Sequence, residues 1–221
     1  MNRQVQAQAD GVERYITLEP RARVLDLACG SGGQTLELAR RGYRVLGVDG
    51  EEGPLAVARA AARQEHLNVH FLHTDIRQIS YRGEFDAVVN LHSSIGSLPS
   101  DRDHLRVLEG VRKGLKSGGR LLLDWANREW ILRRAEPGSF DLETGRRRGL
   151  RVYALTELQA LMERAGLERL SVWGGYEGEA YGLDSPRMVV LARRVPEQAP
   201  RRSRDEGLIS ALRVKGRGKG R

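Results

Sequence analysis

Short apolar runs alternate with stretches of helical spacing through the first two-thirds of the chain. The runs at residues 24–28, 44–48, 69–73, 85–91 and 120–125 are mostly continuous in apolar character. That pattern predicts strands covered on both faces rather than half-exposed ones. Helices are predicted between them at residues 33–41, 53–65 and 101–115. The last is the clearest, with Leu105, Leu108, Val111 and Leu115 in register and Lys116, Gly118 and Gly119 ending it. Strands that alternate with helices build a parallel sheet, so the fold class is α/β. Further on, Thr156-x-x-Gln159 predicts a capping box opening a helix that carries Leu158, Leu161 and Met162 and closes at Gly166. Strands are expected at residues 167–173 and 187–191. The glycine-rich stretch 174–185 between them is long enough for a hairpin-like return, which predicts an antiparallel edge.

Composition narrows the class. With 221 residues and 40% hydrophobic content, the chain suits one well-buried domain, here residues 1–195. The 30% charged content and mean hydropathy of −0.49, without an apolar run of about 18 residues, predict no membrane span. The N-terminus lacks an apolar signal segment, and the single cysteine, Cys29, has no partner for an internal disulfide; both favour a cytoplasmic location. The net charge of +8 is uneven, because residues 196–221 hold eight Arg or Lys against three acids. This basic tail is expected to be disordered and solvated. It suits nonspecific phosphate contacts, yet lacks interleaved aromatics on which bases would stack.

The chemistry concentrates in Val24-Leu-Asp-Leu-Ala-Cys-Gly-Ser-Gly-Gly33, a strand that runs into a glycine turn and then a helix. Such a turn lets a ligand approach the backbone, and the free N–H groups of the helix start attract an electron-rich group. Thr35 stands where a dinucleotide fingerprint would place a third small residue, which weakens a nicotinamide reading. Asp26 lies at the strand end facing the turn, where a carboxylate suits a cation better than a pyrophosphate. Asp49 ends the second strand at the distance that places an acid on ribose hydroxyls.

The Val24–Gly33 segment resembles motif I of the class I S-adenosylmethionine-dependent methyltransferases, and the similarity to small-molecule members continues along residues 22–125 and 153–191. The resemblance implies a Rossmann-like, doubly wound, mostly parallel seven-stranded sheet with one antiparallel edge strand. It implies S-adenosylmethionine as methyl donor and S-adenosylhomocysteine as product. It places Asp26, Ala28, Gly30 and Gly32 around the donor, Asp49 and Gly50 at the ribose, Asp75 at the adenine with Ile76 against the ring, and Asn90 and Leu91 beside the methyl-bearing end. His92 follows as a candidate general base on the acceptor side.

Trp125, Asn127, Arg128, Glu129 and Trp130 either face the acceptor or pack the next helix. Tyr176, Glu177, Tyr181 and Asp184 are further candidates for acceptor contact. Arg146, Arg147, Arg148 and Arg151 either bind an anionic substrate or lie in a solvated loop, the second being the expectation. Cys29 reads as a packing residue. His66, His70, His73 and His104 lie on helix or strand bodies without metal-site spacing, so no metal is expected. Segment 90–93 lacks the pattern that amino methyltransferases use on nucleobases. Compared with the family, the N-terminal segment and the insertion after the fifth strand are short. This predicts a thin cover over the pocket, hence a large acceptor, a partner chain such as a second copy completing the site in a homodimer, or weakened catalysis. The leading expectation is methyl transfer to a small molecule. The alternative is a noncatalytic binding module whose tail contacts RNA or a protein partner.

Overall fold

Residues 2–136 and 138–195 are described by the computed structural model; the basic segment 196–221, and with it the expected tail disorder, lies outside the described residues. A helix that the apolar pattern did not announce, α1 (Arg3–Ile16), opens the fold. Its stripe of Ala9, Val12, Tyr15 and Ile16 is interrupted on the same buried face by Gln8 and Gly11, which hides the periodicity. The Asn2 side chain caps it by accepting the Gln4 N–H at 3.0 Å.

The expected alternation follows as β1 (Arg23–Leu27), α2 (Gly33–Arg40), β2 (Arg44–Asp49), α3 (Glu52–Gln64), β3 (His70–His73), β4 (Phe85–Asn90), α4 (Asp101–Gly114) and β5 (Leu115–Ala126). Then come α5 (Arg128–Leu132), the short hairpin β6 (Arg146–Arg147) and β7 (Leu150–Arg151), α6 (Leu155–Arg164), β8 (Leu167–Trp173) and β9 (Arg187–Arg194). Seven strands form one sheet in the order β3-β2-β1-β4-β5-β9-β8. The antiparallel edge is the β9–β8 pair: β9 runs against both β5 and the outermost strand β8, and the other pairings of this sheet are parallel.

Apolar layers cover both faces. One holds Leu25, Leu27, Leu121, Leu123 and Trp125 with residues of α4 and α6. The other holds Val24, Ala87, Val89 and Leu122 with residues of α1 and α2. Because side chains alternate along a strand, Asp26 and Asp124 emerge on the α1 side, next in sequence to core residues of the opposite layer.

Two local expectations change. β3 is an edge strand in which Phe71 alone is partly shielded while His70, Leu72 and His73 are exposed, so its run is not covered on both faces. The helix expected to start with a Thr156 capping box begins instead after Ala154. Glu157 there accepts the Ala154 N–H at 2.8 Å and an Arg128 N–H at 2.7 Å, so the ion pair between α5 and α6 fixes the start.

Candidate functional site

The strand order reverses between β1 and β4, and ligands of open α/β sheets bind at such a point, beyond the strands' C-terminal ends. Two cavities lie there and meet at Ala28. One, of about 300 Å³, is lined by Asp26, Gly30, Gln34, Leu91 and His92 among others. The other, of about 480 Å³, is lined by Asp49, Gly50, Asp75, Ile76 and Leu98 among others. The sequence-predicted residues Asp26, Ala28, Gly30, Asp49, Gly50, Asp75, Ile76, Leu91 and His92 thus line one continuous region of the fold.

The two turn glycines serve different ends. Gly30 has φ of +54° and an added Cβ would meet nothing within 4 Å, so its backbone faces open space. Gly32 has φ of +78°, and an added Cβ would lie 2.8 Å from Ala58 Cβ and 3.0 Å from the Phe71 ring. Gly32 is therefore a packing glycine. Gly32→Ala is expected to lower unfolding free energy by about 2–4 kcal/mol in urea titration, from positive-φ strain plus overpacking. Gly30→Ala should cost only about 1 kcal/mol of stability while filling the space over the turn.

Asp49 fastens the turn: its Oδ2 accepts the Gly30 N–H at 2.7 Å and its Oδ1 the Glu51 N–H at 2.9 Å. Asp26 is only 3% exposed and accepts from Thr35 Oγ1 at 2.6 Å. Burial, reinforced by the Asp49 charge, pushes its carboxyl up to about 7. Asn90 donates from Nδ2 to the Leu27 carbonyl at 2.7 Å, whereas its buried Oδ1 has no hydrogen-bond partner. Asp75 caps a short 3₁₀ turn and forms a forked ion pair with Arg77 at 2.8 and 2.6 Å, which holds its carboxyl below the usual range. Ile76 supplies a buried apolar wall beside it.

Beyond β4 the backbone turns through two left-handed residues, His92 at φ +69° and Ser93 at φ +59°. Such conformations in residues other than glycine are held in place by their surroundings. Here the anchor is Asp124, fully buried, whose Oδ2 accepts the Ser93-adjacent His92 N–H at 3.4 Å and the Tyr176 hydroxyl at 2.7 Å and pairs with Arg187. Its Oδ1 is buried without a partner. Gln8 of α1 meets His92 at 3.0 Å between Nε2 atoms. Burial of the imidazole pushes its pKa down, against the attraction of Asp124 and together with the repulsion of Arg187. Beyond this cluster a cavity of about 710 Å³ is lined by Tyr176, Glu177, Tyr181, Asp184 and Arg187 with Ala7 of α1.

Gln8, Gln34, Asp124 and Arg187 were missed in sequence. Asp124 and Arg187 are joined only by the antiparallel β5–β9 pairing, in which Ala126 stands opposite Arg187. Other candidates fall outside the site. Trp125 is fully buried and donates to the Arg151 carbonyl at 3.0 Å, so it packs the opposite face. Asn127 caps α5 and holds the return loop by donating to the Gly182 and Ser185 carbonyls. Arg128 pairs with Glu157, and Trp130 packs under the Arg134 guanidinium.

The arginine loop is not free in water. Arg146 donates to the Leu98 and Pro99 carbonyls and Arg151 pairs with Asp101, which ties the β6–β7 hairpin to the wall of the Asp75 cavity. Cys29 is packed, with burial pushing its thiol far above the ordinary range. The expected thin cover also changes, because α1 lies over the turn through Gln8 and through Gln34 Nε2, which donates to the Val5 carbonyl at 3.0 Å. Among the described residues no helix is long and apolar enough to cross a membrane.

Residues 24–119 match the family described as "Methyltransferase domain". The ubiquinone biosynthesis O-methyltransferase of Ruegeria sp. (strain TM1040) is 34% identical over 151 residues, covering 66% of this chain and 60% of that protein. The putative methyltransferase YqeM of Bacillus subtilis (strain 168) is 36% identical over 109 residues, covering 49% and 44% respectively. The chain thus spans 44–60% of the length of these curated relatives. In fold it is similar to the CcbJ methyltransferase of Streptomyces caelestis, with a TM-score of 0.78 at 18% identity over 88% of this chain and 91% of that one. The matched segment holds β1 to β4 and the glycine turn from which the site is built, and the family match over residues 24–119 together with these relatives supports a class I S-adenosylmethionine-dependent methyltransferase.

Proposed function

We propose that the chain transfers a methyl group from S-adenosylmethionine to a small-molecule acceptor by direct displacement. The observation that carries the proposal is the open backbone of Gly30 set between the carboxylates of Asp26 and Asp49, with the unpartnered Asn90 Oδ1 buried nearby. S-adenosylmethionine supplies an electrophilic methyl group on a sulfonium, and S-adenosylhomocysteine remains after transfer.

The residues suit that ligand by chemistry. Asp49 can accept from a vicinal diol, as acids at this strand end do. Asp26, held near neutrality in burial, gains most from a cation such as an amino-acid ammonium, which would draw it to the charged form. Ile76 and Leu98 offer apolar contact to a flat base, with Asp75 at its edge. The acceptor is assigned to the cavity bordered by Tyr176 and Arg187, whose volume of about 710 Å³ suits a small molecule.

Displacement at a sulfonium needs alignment and exclusion of water when the acceptor is already nucleophilic. A hydroxyl acceptor would need a base, and His92 stands at the junction; with Gln8 on its Nε2, that role requires Gln8 to move.

The test is incubation with methyl-labelled S-adenosylmethionine and a low-molecular-mass metabolite extract. Label should enter the small-molecule fraction, and Asp49→Ala should cut the rate about tenfold or more. Label found only in macromolecules, or no transfer by folded wild type, would contradict the proposal.

A further inference from the structure

A chain of side-chain amides fixes the state of His92 without any reference to its own surroundings. It starts at the Val5 carbonyl, which can only accept. Gln34 must therefore present its NH₂ group there, at 3.0 Å, and the same nitrogen reaches Gln8 Oε1 at 2.7 Å. Gln8 then has its oxygen toward Gln34 and its NH₂ toward His92 Nε2, 3.0 Å away. Turning either amide over would set NH₂ against NH₂ or oxygen against oxygen. His92 Nε2 must therefore accept, which leaves the ring neutral with its proton on Nδ1. Gln8 is 1% exposed, so water does not substitute for it easily.

His92 lines the cavity that also holds Asp26 and Gly30. We propose that Gln8 is a positioning residue that keeps His92 uncharged, so that this wall of the donor cavity presents no positive charge to a sulfonium. The inference rests on the donor reading above. A unit charge several ångströms from a bound sulfonium would weaken it by about tenfold or more at the effective dielectric of a protein surface. The other groups facing His92 are Asp124 of β5, which favours its protonated form, Arg187 of β9, which opposes it, and Asp26 of β1 across the cavity; the Tyr176 hydroxyl is held on Asp124. Among these, the amide of Gln8 is the contact made directly to the ring nitrogen.

The experiment has two arms. In the first, ¹⁵N spectra of the histidine rings of the full chain assign the state of His92. Wild type should show the proton on Nδ1 and a titration midpoint below that of a free imidazole, and the isosteric Gln8→Glu should raise that midpoint by about one unit or more. In the second, affinities for S-adenosylmethionine and S-adenosylhomocysteine are compared from about pH 8 to pH 6. Both ligands carry the same ammonium, so titration of Asp26 cancels in their ratio and only the sulfonium charge differs.

The ratio should stay within about twofold in wild type and shift about tenfold or more against S-adenosylmethionine in His92→Lys. A wild-type His92 protonated on Nε2, a midpoint unmoved in Gln8→Glu, or a wild-type ratio that falls with pH would overturn the proposal. If neither ligand binds, the donor reading itself fails and the role assigned to a neutral His92 falls with it, while the tautomer arm still reports on Gln8.

Discussion

Asp26→Asn should make the ligand-free protein more stable at pH 8, by about 4 kcal/mol, while weakening donor binding at least about tenfold. The reason is the conflict built into the native residue. Asp26 is 3% exposed and its carboxyl is pushed up to about 7, mainly by burial. In the unfolded chain it ionises near 3.9. The folded state is thus penalised for each deprotonated molecule: the penalty is absent below about pH 4, grows as pH rises to about 7, and is full above it.

An amide carries no such penalty and can keep the hydrogen bond from Thr35 Oγ1. The stability advantage of Asp26→Asn, read by urea unfolding, should therefore vanish near pH 4. Donor binding has the opposite sign, because the cation that would offset the buried charge no longer finds it. Wild type should accordingly release protons on binding below about pH 7, visible as a buffer-dependent heat. A variant that is less stable at pH 8 would show that Asp26 is a structural acceptor rather than a strained binding group.

Asp124→Ala is expected to lower unfolding free energy by about 3 kcal/mol, the lower end for breaking a buried ion pair. It is fully buried, and it takes the Tyr176 hydroxyl at 2.7 Å, the His92 N–H and the Arg187 guanidinium on one oxygen. Removing it strands the Tyr176 hydroxyl and leaves Arg187 without its counter-charge. The Arg187 side chain is 33% exposed, so water recovers part of the loss, which is why the lower end applies. For a chain of this size that corresponds to a fall of about 6–12 °C in Tm. Tyr176→Phe, which deletes a single hydrogen bond to the same carboxylate, should cost about 1–2 kcal/mol. An Asp124→Ala loss below about 1 kcal/mol would mean that the loop after β8 is held by its apolar contacts and not by this pair.

What the sequence disclosed followed from rules that act over short range. Continuous apolar runs announced β1, β2, β4 and β5, the glycine turn announced the junction at Gly30, and acids ending consecutive strands announced Asp26 and Asp49. α1 stayed hidden because Gln8 and Gly11 sit on its buried face, and a glutamine there reads as solvent-facing until its partners on α2 and in the turn after β4 are known. The assignment of Trp125 to the acceptor side or to packing turned on one step of strand parity. Within β5, residues 123 and 125 enter one layer and residue 124 the other, and the strand's true start at Leu115 was masked by Gly118 and Gly119. The Asp124–Arg187 pair spans 63 residues and depends on antiparallel register, which no local pattern encodes.

The central claim is a donor site organised by Asp49 at the turn of Gly30. Isothermal titration of S-adenosylmethionine and S-adenosylhomocysteine into wild type and Asp49→Ala tests it most directly. The account predicts micromolar binding of both ligands to wild type and a loss of at least about 1.4 kcal/mol, tenfold in Kd, in the variant. Absence of binding to folded wild type, or equal affinity in Asp49→Ala, would contradict it.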